Sequence, residues 1–329
     1  MKATWLPAGV LAATALVFWA CSGDDDSTNP DQPTIPTVTT SAVSAVGSTT
    51  ATCGGTVTAD GGAEVTARGV CWRTSADPTI ADDTTSDGIG VGSFTSSLTG
   101  LSGGESYHMR AYATNRAGTG YGEDVPFATL GTVADYDGNT YQTVKIFNRW
   151  WMAENLKVTH YRNGDPVSDV TDPTAWNALA SGACCEYAND PANVAIYGRL
   201  YNWFAVGDAR GLAPAGWHVA TDSEWQELVD SLGGGAVAGG KLKAAGTAYW
   251  ADPNAGATNE SGFSGLPGGY RGGMGDFNGI HYGAGFWTAT PHQYFSDQAW
   301  NRNLGYNRPE MVHDYSGKKS GNAVRCVKD

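Results

Sequence analysis

Several chemistries are missing from this chain. Charged residues make up only 16% of it, and no block of lysine or arginine occurs anywhere. The formal net charge is −13. Gripping a phosphate backbone takes clustered cations, so nucleic acid is excluded as a partner. There is no CxxC pair, and the six histidines are scattered. A structural zinc site therefore has no ligand set to draw on, and neither a metal nor a cofactor is expected. No Ser-His-Asp spacing stands out, so no catalytic residue is named and no enzymatic activity is expected.

What is present is glycine and tryptophan, 45 and 12 residues respectively. Many aromatics and few charges argue for compact, turn-rich domains and against disorder. The length allows two ordinary domains. At the N-terminus Lys2 precedes an apolar run over residues 4–20. That run is the length of a signal-peptide core and slightly short for a membrane span. Ala20 is followed by Cys21 and then Ser22-Gly23-Asp24-Asp25-Asp26. This junction resembles the lipobox of bacterial lipoproteins, which implies a leader over 1–20 and acylation of Cys21. The acidic stretch resembles the surface-export signals of Bacteroidetes-type lipoproteins. The implied address is the outer membrane, with the chain tethered by lipid and exposed at the cell surface.

Residues 21–36 are rich in Asp, Ser, Thr and Pro and read as a disordered tether. Residues 37–130 read as an all-β sandwich, with short β-rich runs separated by Gly61-Gly62, Gly103-Gly104 and Asn115–Gly118. Alternation over Tyr107–Ala113 sets Tyr107, Met109, Ala111 and Ala113 on one face. Arg68-Gly69-Val70-Cys71-Trp72 and the stretch from Leu98 to Gly118 resemble a fibronectin type III-like module of bacterial surface proteins. That resemblance places Trp72 in the core. Cys53 and Cys71 fall on neighbouring strands and are either a bridge between two sheets or two buried thiols.

From about residue 131 to the C-terminus, Trp, Gly and Asn dominate. Tyr141–Phe147 and Arg149–Ala153 read as a hairpin. Thr221 with Glu224 forms a capping box, Trp225, Leu228, Val229 and Leu232 follow at helical spacing, and Gly233–Gly235 ends the helix. Shorter helices are expected around Lys241–Ala245 and around Leu200, Trp203 and Phe204. Ordered blocks then run through the segment. They include Trp151-Met152-Ala153-Glu154-Asn155-Leu156, Tyr197-Gly198-Arg199-Leu200-Tyr201-Asn202-Trp203, Pro214-Ala215-Gly216-Trp217-His218, Gly262-Phe263-Ser264-Gly265-Leu266-Pro267-Gly268-Gly269-Tyr270-Arg271 and Val324-Arg325-Cys326. Residues 131–329 thereby resemble the Fibrobacter succinogenes major paralogous domain family of bacterial surface proteins. The resemblance implies an α+β, C-type-lectin-like fold. Where that family often has a cysteine, this chain has Ala213, so the resemblance implies pairing of Cys326 with Cys185 or Cys184.

Gly268–Gly285 carries the candidate ligand-binding residues Asp276, Asn278, His281 and Tyr282, because aromatics stack on sugar faces and amides or carboxylates bond hydroxyls. Tyr270, Arg271 and Trp287 read as packing residues, and His218 as a hydrogen-bonded core residue. The tripeptides of calcium-dependent sugar binding are absent. The ending Val324-Arg325-Cys326 is similar to that of formylglycine-generating enzymes, but no spaced cysteine pair precedes it. The expected function is a displayed binding module for polysaccharide, with a surface protein as second choice and a passive structural module as the alternative. Exposure of the aromatic rings in Gly268–Gly285 favours binding; burial favours a structural part.

Overall fold

The computed structural model describes residues 32–329; Cys21, the leader and most of the tether lie outside them. The first unit is built from β1 (Thr37–Thr40), β2 (Ala51–Ala59), β3 (Ala67–Arg73), β4 (Asp83–Thr84), β5 (Gly92–Leu98), β6 (Ser106–Asn115), β7 (Gly118–Tyr121) and β8 (Val125–Ala128). One sheet has the order β1-β2-β5; the other runs β4-β3-β6-β7, with β8 also on β6. This split of eight strands between two antiparallel sheets is that of a fibronectin type III-like sandwich. Period-two alternation fills its middle with Val70, Trp72, Tyr107 and Met109, as the sequence pattern requires.

The same alternation corrects one expectation. Cys53 belongs to the core between the sheets, with Val70 and Trp72. Cys71 lies between those two in sequence and so points to the other face of β3, opposite Arg110. The two thiols cannot meet, and both are free and buried. Cys53 donates weakly to Ser96 O and Cys71 to Arg110 O.

The second unit begins with β9 (Gly131–Ala134), β10 (Thr140–Ile146) and β11 (Arg149–Met152). The expected hairpin is β10–β11, paired from Thr143↔Met152 to Ile146↔Arg149. Then follow β12 (Ser168–Asp169), α1 (Pro173–Asn177), β13 (Ala183–Cys185), α2 (Ala192–Tyr197), β14 (Leu200–Asn202), α3 (Trp203–Val206) and β15 (Trp217–Val219). Next come α4 (Asp222–Ser231), α5 (Gly235–Leu242), β16 (Gly268–Arg271), β17 (Phe277–Ile280), β18 (Gly283–Pro291), β19 (Gln298–Gly305), β20 (Met311–Gly317), β21 (Gly321–Asn322) and β22 (Cys326–Lys328). A small sheet orders β15-β22-β11-β10-β9. A large one runs β12-β13-β14-β21-β16-β18-β19-β20, with β17 on β16. The described residues are mostly β, with short helices.

Helix α4 has the capping box read from the sequence: Thr221 caps Glu224 N–H and Glu224 returns the bond. Its apolar face buries Trp225, Leu228 and Val229. Helix α5 instead starts within the glycine run and stops at Leu242, so Lys243–Ala245 are not helical. The buried Lys243 ammonium explains that stop: it donates to the carbonyls of Ala255, Gly305 and Arg308 at 2.9–3.0 Å. Leu200 lies in β14, and only Trp203–Val206 form the third expected helix.

The C-terminal disulfide is likewise not formed. Cys184 and Cys326 sit in one core cluster, while Cys185, the next residue of β13, points into another beside Trp176. All three are free thiols. Burial pushes the thiols of Cys53, Cys184 and Cys185 up to about 12 and that of Cys71 to about 11, which leaves them unreactive.

Candidate ligand-binding cleft

A cleft of about 580 Å³ opens over β18, β19 and β20. Its floor follows from alternation. On β19 and β20 the side chains of Asn301, Asn303, Asp314 and Ser316 share one face, in the register Asn301↔Asp314 and Asn303↔Val312. On β18 the facing positions are Gly283 and Gly285, paired with Gly305 and Asn303. Glycine leaves a flat, side-chain-free strip there. At Gly285 a β-carbon would lie 2.4 Å from Asn322 Oδ1 and 3.2 Å from Asn303 Oδ1, so glycine is required for the two amides to reach the floor.

The amides are oriented, not merely present. Asn301 Nδ2 donates to Ser316 Oγ at 2.7 Å. Asn303 Nδ2 then donates to Asn301 Oδ1 at 2.9 Å. This relay leaves the Asn303 carbonyl oxygen facing Gly285 with no intramolecular donor among the described residues. Asn322 Oδ1 also lies beside Gly285, while its buried Nδ2 has no partner among the described residues. Asn303 Oδ1 is thus a preset acceptor for a hydroxyl donor, with Asn322 Oδ1 beside it on the floor.

Tyrosines make the walls. Tyr282 and Tyr270 are 57% and 44% exposed and line the cleft. Tyr282 meets Tyr306 edge to face at 5.1 Å, and Tyr306 N–H donates to Tyr282 O at 2.9 Å. Arg308 closes the far end, on the turn that Lys243 holds through the Gly305 and Arg308 carbonyls.

Of the four candidate residues, only Tyr282 enters the cleft. Asp276 and Asn278 bond each other near the tip of the β16–β17 hairpin, outside the cleft lining, and Asp276 O also accepts Gly272 N–H. His281 turns the chain with φ of 69° and packs edge-on to Tyr197, its Nδ1 2.9 Å from Tyr249 O. Tyr270, read as packing, instead faces the cleft. Arg271 and Trp287 are buried: Arg271 donates to Val170, Thr171 and Gly275 carbonyls, and Trp287 Nε1 to Tyr201 O. His218 is hydrogen-bonded but half-exposed, its ring nitrogens 2.7 Å from Asp329 and 3.0 Å from Glu224. Asn303 and Asn322 were missed because neither stands in a motif; only the strand register brings them together.

Over residues 144–328 the chain matches the model of the Fibrobacter succinogenes major domain. The chain belongs to that family. In this Fibrobacter succinogenes major domain the cleft, its walls and Lys243 all fall inside the matched segment. No curated protein matches the chain. Among solved structures, domains of titin are 26% identical over 30% of this chain and 32% of theirs, with a TM-score of 0.22. The chain thus spans about a third of that titin fragment. The sensor domain of an anti-sigma factor from Pseudobacteroides cellulosolvens is 13% identical over 29% of this chain and 95% of that one, TM-score 0.23. The sixth fibronectin type III domain of human fibronectin type III domain containing protein 3 is 24% identical over 34% and 96%, TM-score 0.23. The sandwich assignment rests on its own strand order.

Proposed function

We propose that this protein is a lipid-anchored surface module whose C-terminal domain binds polysaccharide in the tyrosine-walled cleft. The observation behind this reading is the Asn303 amide, held by the Ser316–Asn301 relay with its oxygen free beside Gly285. A preset acceptor beside exposed tyrosine rings suits a polyol that offers hydroxyl donors and C–H faces. Exposure of Tyr270 and Tyr282 favours binding over a purely structural part. On this reading the domain is lectin-like, the tether and sandwich hold it away from the membrane, and Cys21 anchors the whole.

Two experiments test it. A glycan array and insoluble-polysaccharide pulldown with Cys21→Ser protein should give retention that Asn303→Ala and Tyr282→Ala weaken. Retention of no glycan, or retention indifferent to both substitutions, contradicts the cleft assignment. Fractionation of cells expressing Cys21→Ser should move the protein out of the membrane; continued membrane association contradicts the anchor.

A further inference from the structure

The reverse face of β19 and β20 carries a second cluster of aromatic side chains. Trp300, Arg302 and Leu304 point away from Asn301 and Asn303, as Met311, His313 and Tyr315 do from Asp314. Helices α4 and α5 cover one end of this face, where Leu304 and Met311 join Leu228, Ala238 and Leu242 in the core. Arg302 marks the edge of that cover, bonding Asp222 at the start of α4 at 2.8 Å. Beyond it the face opens. Tyr294, Phe295 and Tyr315 are 81%, 48% and 42% exposed.

These rings gather round His292, which is only 8% exposed. Its ring centroid lies 4.5 Å from that of Trp300, 4.7 Å from Tyr315, 4.9 Å from Phe295 and 6.0 Å from Tyr294. His292 Nδ1 accepts the backbone N–H groups of Tyr294 and Phe295, each at 3.2 Å. These bonds fix the loop that presents both rings. A nitrogen that accepts carries no proton, so the ring proton sits on Nε2. That N–H has no partner among the described residues and is not among the unpaired atoms sealed from solvent. Gln293 adds a second donor: its oxygen accepts Trp300 Nε1–H at 3.1 Å, and its amide nitrogen is left over.

The charges beside the patch balance in sign: Lys318, whose Nζ donates to Ser296 O at 2.7 Å, lies beside Asp297, and Arg302 closes on Asp222 at 2.8 Å. The patch therefore offers rings and donors without net charge, on a chain of formal charge −13. Polyanions and a second copy of this chain are both disfavoured by that balance. A neutral sugar ring satisfies each feature: its C–H face packs on tyrosine and phenylalanine, and its oxygens accept from His292 and Gln293.

We propose that this patch is a second carbohydrate-binding surface, taking the ring faces of a neutral polysaccharide on the side of the sheet opposite the cleft. One domain then holds two stretches of polymer. The patch shares the ligand class proposed for the cleft but none of its residues, so each can fail alone.

The test uses the full chain with Cys21→Ser, insoluble β-glucan for retention and soluble hydroxyethylcellulose for bundling by light scattering. Tyr294→Ala/Phe295→Ala changes exposed side chains, and near-UV circular dichroism verifies the fold. Retention should fall roughly tenfold, as two lost aromatic contacts imply, and bundling should vanish. The cleft variant Asn303→Ala/Tyr282→Ala should keep partial retention and also lose bundling. Equal retention and scattering for the wild type and the Tyr294→Ala/Phe295→Ala variant, at any level, overturns the proposal. Loss of all binding in that variant, with the cleft variant unchanged, upholds the patch and removes the cleft.

Discussion

Single residues decide this site because each does a job its neighbours cannot. Asn303 acts only through its orientation, which depends on Asn301 and Ser316. Asn303→Ala should weaken glycan binding roughly three- to tenfold, the worth of one hydrogen bond, and leave the melting temperature near its wild-type value. Arg325 is the opposite case. It is fully buried and donates to Asn155 Oδ1 and to the carbonyls of Met152 and Phe263 at 2.6–2.8 Å. Arg325→Met strands those acceptors and should cost more than about 3 kcal/mol in urea unfolding. The cysteines give a third expectation. Unfolded without reductant, residues 32–329 should titrate as five free thiols; fewer would mean that a bridge forms. At this scale the sequence singled out Tyr282, an aromatic in a glycine-rich segment, but read Tyr270 of the same stretch as packing, and both rings are exposed at the cleft. It concealed Asn303 and Asn322, whose meaning comes from partners on other strands. Asp276 and Asn278 looked equivalent to Tyr282 in sequence, but they bond each other and lie outside the cleft lining.

Among the elements, α4 was the most legible, because its signals are local: a capping box, a four-residue apolar rhythm and a terminating glycine run. Thr221→Ala should cost about 1 kcal/mol. Burial would raise the Glu224 carboxyl, but the Thr221 N–H and hydroxyl and the nearby His218 outweigh it and hold it below its ordinary value. A carboxylate lowered on folding stabilises the protein above its unfolded value of about 4.3 and loses that contribution as pH falls. Glu224→Gln should therefore be less stable at neutral pH and show a shallower loss below about pH 4, read by thermal melts. A wild-type-like acid limb in that variant would deny the capping carboxylate this part. Strands β12, β13 and β14 were illegible for the converse reason. Two or three residues long, they are strands only through pairing in the large sheet. Helix α5 begins among glycines that local propensity argues against; its burial of Ala238 and Leu242 supplies what propensity does not.

At the scale of the molecule, the sandwich and the Trp-rich domain meet directly: Lys145 of β10 donates to Ser106 of β6 at 2.9 Å, and Gly104 packs against Gly131. The sandwich was readable because short β-rich runs, clearest in the alternation of Tyr107–Ala113, are separated by glycine turns. The second domain's order was readable as a family pattern, while its cleft was not, since the register between β18, β19 and β20, which no motif encodes, sets which side chains share its floor. Both proposed sugar surfaces lie on the two sides of β19 and β20, within the matched family segment. The most direct test of the central claim is affinity electrophoresis of Cys21→Ser protein and its Asn303→Ala/Tyr282→Ala variant through gels containing soluble neutral glycans. Glycan-dependent retardation of the parent that the variant loses by roughly tenfold or more is the predicted result. Identical mobility of the two proteins in every glycan would contradict the account.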